Sequence, residues 1–182
     1  MATQPAGVTS GKCDRTKAQQ ACAVQQKGLK VMDLHIHDVT AENYREILAL
    51  HVAESQKEFI ETPYECLEDA VAWRQFRPVG LYAGGVLVGF AMYGFFEGEG
   101  RNGRLWIDRL LIDERYQGRG YGKAFMALLT ERVLEEYGGQ PIYLSVYPDN
   151  APAIGIYEKL GFRFTDERDV NGEHIMRRDW NG

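Results

Sequence analysis

Apolar and polar residues alternate from Leu34 to Val39, and a period of two predicts a half-buried first strand. Beyond it the period changes. Tyr44, Ile47, Leu48 and Val52 recur at helical spacing, and Thr40 stands where a helix cap belongs. A shorter helix is predicted from about Cys66 to Phe76, with Pro78 closing it. From Gly80 to Phe96 two β-rich runs meet at Gly84-Gly85, a strong hairpin signal. The run Arg104–Asp113 predicts another strand, and a glycine-rich stretch follows it directly. The next helix carries Phe125, Leu128, Leu129 and Val133 on one face and ends near Gly138-Gly139. A strand over Pro141–Tyr147, a helix over Asn150–Gly161 and a final hairpin turning at Asn171-Gly172 complete the pattern. The order is β-α-α-β-β-β-α-β-α-β-β, a mixed sheet flanked by helices. That order alone leaves several folds open.

Composition narrows the class. With 182 residues and 45% hydrophobic content the chain suits one domain with a proper core. Cys13, Cys22 and Cys66 are odd in number and lack C-x-x-C spacing, so neither a disulfide framework nor a zinc site is supported, and a reducing cytoplasm is expected. No apolar stretch approaches the ~20 residues that span a bilayer, and the opening lacks the apolar region of a signal peptide. Charge is unevenly placed: Met1–Val31 carries +4 and the remainder −9. Nucleic acid is therefore an unsuitable partner for the folded part. Residues 1–31, rich in Gln, Ala, Lys and Thr, read as a flexible tail or an extension ahead of a natural start at Met32, with the domain spanning 32–182.

The stretch Arg115–Phe125 holds Gly118, Gly120 and Gly122. Each glycine in a regular element costs roughly 0.5–1 kcal/mol relative to alanine, so close access to this backbone is implied. A strand feeding such a loop into a helix bares amides at the positive end of the helix dipole, a ready anion site. A Walker loop fails at two positions, since Gln117 stands where glycine belongs and Ala124 where the metal-binding hydroxyl belongs. The dinucleotide fingerprint fails as well, in spelling and in its place along the chain.

What the loop does spell is Gln117-x-x-Gly120-x-Gly122, and Asn150, Ala153, Tyr157, Gly161 and Phe162 supply a second ordered motif, N-x-x-A-x-x-x-Y-x-x-x-G-F. On these residues the chain resembles the GNAT superfamily of N-acetyltransferases. The stretches Arg77–Tyr82, Gly89–Gly94, Ile112–Gly118 and the Asn171-Gly172-Glu173 turn resemble, within it, bacterial spermine/spermidine acetyltransferases. The resemblance implies the GNAT fold, an α/β (α+β) arrangement with a central mixed, mostly antiparallel sheet of about seven strands flanked by about four helices. It implies acetyl-CoA as donor and no metal. Gln117, Gly118, Arg119, Gly120, Tyr121, Gly122 and Lys123 would hold the pyrophosphate, and Leu110, Leu111 and Ile112 the pantetheine arm. Asn150, Ala153 and Tyr157 would complete the donor site, with Tyr157 as acid toward the departing thiolate. Read from periodicity alone, Tyr157 shares a core stripe with Ala153, Ile156 and Leu160, and Asn150 is a helix cap, a role compatible with ligand contact. The resemblance also allows a homodimer.

The acceptor poses the harder chemistry. An alkylammonium with pKa near 10.4 is neutral only about one part in 10³ at pH 7, a penalty of roughly 4–5 kcal/mol, so a proton acceptor in reach is valuable. Asp108 lies in an otherwise apolar strand, and in a regular strand Asp108 and Arg109 would point to opposite faces. It reads as either the base or water relay implied by the resemblance, or as one half of an ion pair to a neighbouring helix. Between Ala41 and Trp73 acids far outnumber bases, and Glu54, Glu58, Glu61 and Glu65 recur at intervals of three and four, so any helical part would present a carboxylate row. Such faces are usually only solvated, and Thr62-Pro63-Tyr64 interrupts this one. With the polyamine resemblance, Glu58 and Glu61 become the expected amine contacts. The function implied is acetyl transfer from acetyl-CoA to a primary amine of a polyamine such as spermine or spermidine. The alternatives are another amine acceptor (an amino acid, an aminoglycoside or a protein N-terminus) and a CoA-binding module without catalysis.

Overall fold

The computed structural model describes residues 33–180, so the expected tail over residues 1–31 and the start at Met32 lie outside the described residues. The predicted element order is the observed one. It runs β1 (Leu34–Asp38), α1 (Tyr44–Leu48), α2 (Pro63–Ala72), β2 (Phe76–Ala83), β3 (Val86–Phe96), β4 (Arg104–Ile112), α3 (Tyr121–Tyr137), β5 (Ile142–Val146), α4 (Ala151–Lys159), β6 (Arg163–Arg168) and β7 (His174–Arg178). The seven strands form one sheet in the order β1-β2-β3-β4-β5-β7-β6, antiparallel throughout except for the parallel pair β4–β5. No helix among the described residues is long and apolar enough to cross a membrane.

Two apolar clusters sandwich the sheet. On one face Phe125, Met126, Leu129 and Val133 of α3 pack on Leu81, Tyr93, Leu105 and Ile107, while Ile156 and Tyr157 of α4 lie against the same cluster. On the other, Ile47 and Leu50 together with Cys66 and Leu67 of α2 cover Phe90, Met92 and Leu111. The two layers meet at Asp113, whose wholly buried carboxylate accepts from the His51 amide at 3.1 Å and from the Arg115 guanidinium at 2.6 and 3.0 Å.

The second face departs from the sequence pattern. The first helix stops at Leu48 rather than running on past Val52, and Thr40 does not cap it; Asn43 occupies the cap position. Past it only a short 3-10 turn, Glu54–Gln56, follows. The second helix starts earlier than expected and ends at Ala72, because Thr62 and Glu65 form a reciprocal capping box with Pro63 in the first turn. The apparent interruption at Thr62-Pro63-Tyr64 is thus a helix start. Pro78 lies within β2 and closes nothing. The hairpin at Gly84-Gly85 is as expected, with φ of +56° and +80°. The final turn is not a two-residue one centred on Asn171-Gly172. The Asp169 carboxylate accepts from the amides of Asn171 and Glu173 at 2.9 Å each and organises a longer loop.

Candidate active site

The sheet is not uniform at its centre. Met92 faces Arg109 and Tyr93 faces Ile107, so Asp108 has no partner across the β3–β4 ladder and forms a bulge. A bulge breaks the two-residue alternation. Leu105 and Ile107 point to the α3 face, the next residues there are Leu110 and Ile112, and both Asp108 and Arg109 line the opposite side. The expectation that these two charges face opposite ways is corrected by that extra residue. On the other edge of β4 pairing with β5 is confined to Leu105–Ile142 and Trp106–Tyr143. Beyond them the strands part and leave the edge of Leu110–Ile112 open onto a trough of about 1300 Å³.

One end of the trough is a cradle. Gly118 and Gly120 have φ of +72° and +83°, a region that only glycine enters freely, and a Cβ on either would project into open space. Ala124 is the first α3 amide to find a helical acceptor, the Gly120 carbonyl at 3.2 Å, so the amides of Tyr121, Gly122 and Lys123 precede the helical ladder. These three residues, with Gly118 and Gly120, line the trough. The Gln117 side chain donates to Gln56 Oε1 at 2.7 Å and to the Ile112 carbonyl at 2.8 Å, tying the loop to β4 and to the second layer. Arg119 lies outside the lining and donates to the Arg115 carbonyl at 3.0 Å. Asn150 caps α4 through Ala153 N–H at 3.3 Å, and both residues also face the trough. A bare helix N-terminus of this length with Lys123 beside it fits a diphosphate.

Tyr157 reaches the trough from α4, and burial, assisted by nearby Glu173, pushes its phenol up to about 12. Across from it sits a charge cluster. Arg109 forms an ion pair with Asp108, lies 2.8 Å from Glu61 through Nε and 3.6 Å from Asp69 of α2. The Glu61 approach is off the N–H axis, which leaves Nε without a hydrogen bond although the charges touch. One guanidinium thus serves three carboxylates. Burial raises the Asp108 carboxyl to about 6; Arg109 opposes the rise and Glu61 adds to it. Asp108 faces the trough, and its ion partner is the adjacent Arg109 of the same strand rather than a residue of a neighbouring helix; it is Arg109 that reaches α2, through Asp69.

The predicted carboxylate row does not form. Glu54 lies in the 3-10 turn, Glu65 is engaged in the α2 capping box, and Glu58 is exposed outside the trough lining; of the two expected amine contacts only Glu61 reaches the site. Glu173, at the end of the β6–β7 turn, was not anticipated. It lines the trough beside Ser145, makes no ion pair among the described residues, and its carboxyl is raised chiefly by burial. The one signal in the sequence is its place in the Asn171-Gly172-Glu173 turn; charge and spacing alone leave it a solvated turn acid.

Residues 44–162 match the acetyltransferase (GNAT) family. A spermine/spermidine N(1)-acetyltransferase of Bacillus subtilis (strain 168) is 46% identical over 151 residues, which cover 81% of this chain and 99% of that protein. An aminoglycoside acetyltransferase solved in complex with coenzyme A superposes with a TM-score of 0.67 at 20% identity, over 80% of this chain and 94% of its own. A spermidine N-acetyltransferase from Vibrio cholerae, solved with CoA and spermine, gives 0.60 at 16% identity over 79% and 92%.

Proposed function

The chain belongs to the acetyltransferase (GNAT) family, and from that premise we propose that it moves acetyl from acetyl-CoA to a primary amine of a polyamine such as spermine or spermidine. The observation that carries the reading is one trough holding a bare-amide cradle at one end and an acid-rich wall around Arg109 farther along, with an unpaired strand edge between. The amides from Gly118 to Lys123 hold the diphosphate, and the edge of Leu110–Ile112 pairs with the pantetheine arm. An amide at Leu110 or Leu111 then polarises the thioester carbonyl.

The amine nitrogen attacks that carbonyl carbon; a C–N bond forms, the C–S bond breaks, and the sulfur leaves as thiolate. Asp108 takes the amine's proton, directly or through water. It can do so because Arg109 divides its charge among three carboxylates instead of fixing Asp108 as a permanent anion. Tyr157 donates a hydrogen bond to the departing sulfur. With its phenol at about 12, above a thiol near 8.5, it stabilises the thiolate without surrendering its proton. The buried free thiol of Cys66 suits a reducing cytoplasm.

The test is acetyl-CoA turnover over a panel of spermine, spermidine, amino acids, an aminoglycoside and an N-terminal peptide. Spermine and spermidine should exceed the others in kcat/KM by about tenfold or more, since several ammonium groups meet the anionic wall. A higher value for any other acceptor would reassign the substrate, and CoA binding without turnover would leave a non-catalytic module.

A further inference from the structure

Past the Arg109 cluster the trough continues to a second end, which is lined by large aromatics. Phe76 opens β2, Phe96 closes β3 and Trp106 lies near the start of β4; the registers Phe76↔Gly94, Gly94↔Trp106 and Phe96↔Arg104 bring all three to one end of the sheet. Their rings line the trough, with Phe76 and Phe96 edge to face at 5.0 Å. Trp73, at the C-terminal cap of α2, forms the rim and is 58% exposed. Trp73, Phe96 and Trp106 belong to neither apolar cluster. Trp106 Nε1 donates to Glu99 at 2.6 Å, which fixes a carboxylate in this aromatic wall. The cation on the same wall, Arg104, is already matched by Glu167 at 2.7 and 3.0 Å.

We propose that Trp73, Phe76, Phe96, Trp106 and Glu99 form a subsite for the distal ammonium of the acceptor, and that this subsite sets a preference for long polyamines over short amines. It rests on the polyamine reading given above. Aromatic faces and a held carboxylate attract an alkylammonium while covering its methylenes. Length supports the assignment. From Leu110, beside the thioester, back to Trp106 the strand covers about 13 Å at roughly 3.3 Å per residue. A triamine chain of about nine single bonds near 1.5 Å, zigzagged, reaches roughly 11 Å and its end group can touch the aromatic wall, whereas a four-carbon diamine reaches only about half as far.

The experiment compares kcat/KM for spermidine, putrescine and propylamine in the wild type, in Trp73→Ala and in Glu99→Gln. Trp73 is exposed and Glu99 half-buried, so both variants should fold, and circular dichroism checks that they do. The wild type should prefer spermidine, and the preference over propylamine should fall roughly 5–30-fold in each variant, through KM rather than kcat. Equal losses for all three amines, an unchanged preference in both variants, or a wild type that acetylates all three alike would overturn the subsite while leaving the acetyltransferase reading intact. No turnover with any amine would overturn that reading, and the subsite with it.

Discussion

The two layers flanking the sheet are built in opposite styles. On the donor side a 17-residue helix and a nine-residue one lay apolar faces onto the largest core cluster, and the cradle is backbone at the start of the longer helix. On the acceptor side a five-residue helix and a ten-residue one cover a much smaller cluster, and charge does part of the fastening through Arg109 with Glu61 and Asp69, and through Asp113 with the His51 amide. Backbone geometry backed by a deep core tolerates little change, whereas a cover of short elements and ion pairs can be altered one side chain at a time. Under the proposed function the constant diphosphate of the donor is assigned to the first kind of structure, and the acceptor to the second.

The sharpest way to break this contrast is Gly120→Val. At φ +83° a β-branched residue is strained by about 1–3 kcal/mol, and its side chain enters space that is otherwise open. CoA affinity measured by calorimetry should drop at least ~100-fold; retention of wild-type affinity would move the cradle elsewhere. Tyr157→Phe comes next. Losing one hydrogen bond to a charged sulfur should lower kcat about 10–100-fold while CoA affinity stays within about twofold. An unchanged kcat would remove the phenol from the chemistry.

The same contrast explains what could be read from the chain. The donor layer was legible because Phe125, Leu128, Leu129 and Val133 repeat over a long helix and the glycines stand between a strand and that helix. The acceptor layer was not. Its first helix is too short for periodicity to bound it, and Val52 at helical spacing lies beyond its end. The start of α2 is set by the reciprocal bonds of Thr62 and Glu65, which a run of acids conceals. The bulge at Asp108 depends on pairing with β3, a nonlocal fact, and that extra residue puts Arg109 within reach of Glu61 and Asp69. Glu173 enters the site only because the loop organised by Asp169 carries it back over the trough.

On the acceptor side the pH profile separates the two raised carboxyls. Asp108 must be ionised to accept a proton, and its carboxyl is raised to about 6, so kcat/KM should gain one further unit of slope as pH falls below about 6. Asp108→Asn should lose that added slope along with most of the rate, and Glu173→Gln should keep it. The reverse pattern would transfer the base role to Glu173.

The smallest effect should come from Glu61→Gln, and it reports on how Arg109 is shared. Glu61 is 43% exposed, so its contribution to binding a polycation is screened by solvent and salt. KM for spermine should rise only about 2–5-fold at low ionic strength, and the difference should fade near 0.5 M salt. Its second effect is on Asp108. With the repulsion from Glu61 gone and Arg109 divided between two carboxylates instead of three, the ionised form of Asp108 is favoured and its carboxyl falls from about 6. The acid limb should therefore move to lower pH in Glu61→Gln, a shift that a purely structural glutamate would not produce. A limb that stays near pH 6 together with an unchanged low-salt KM would show that Glu61 neither greets the substrate nor tunes the base.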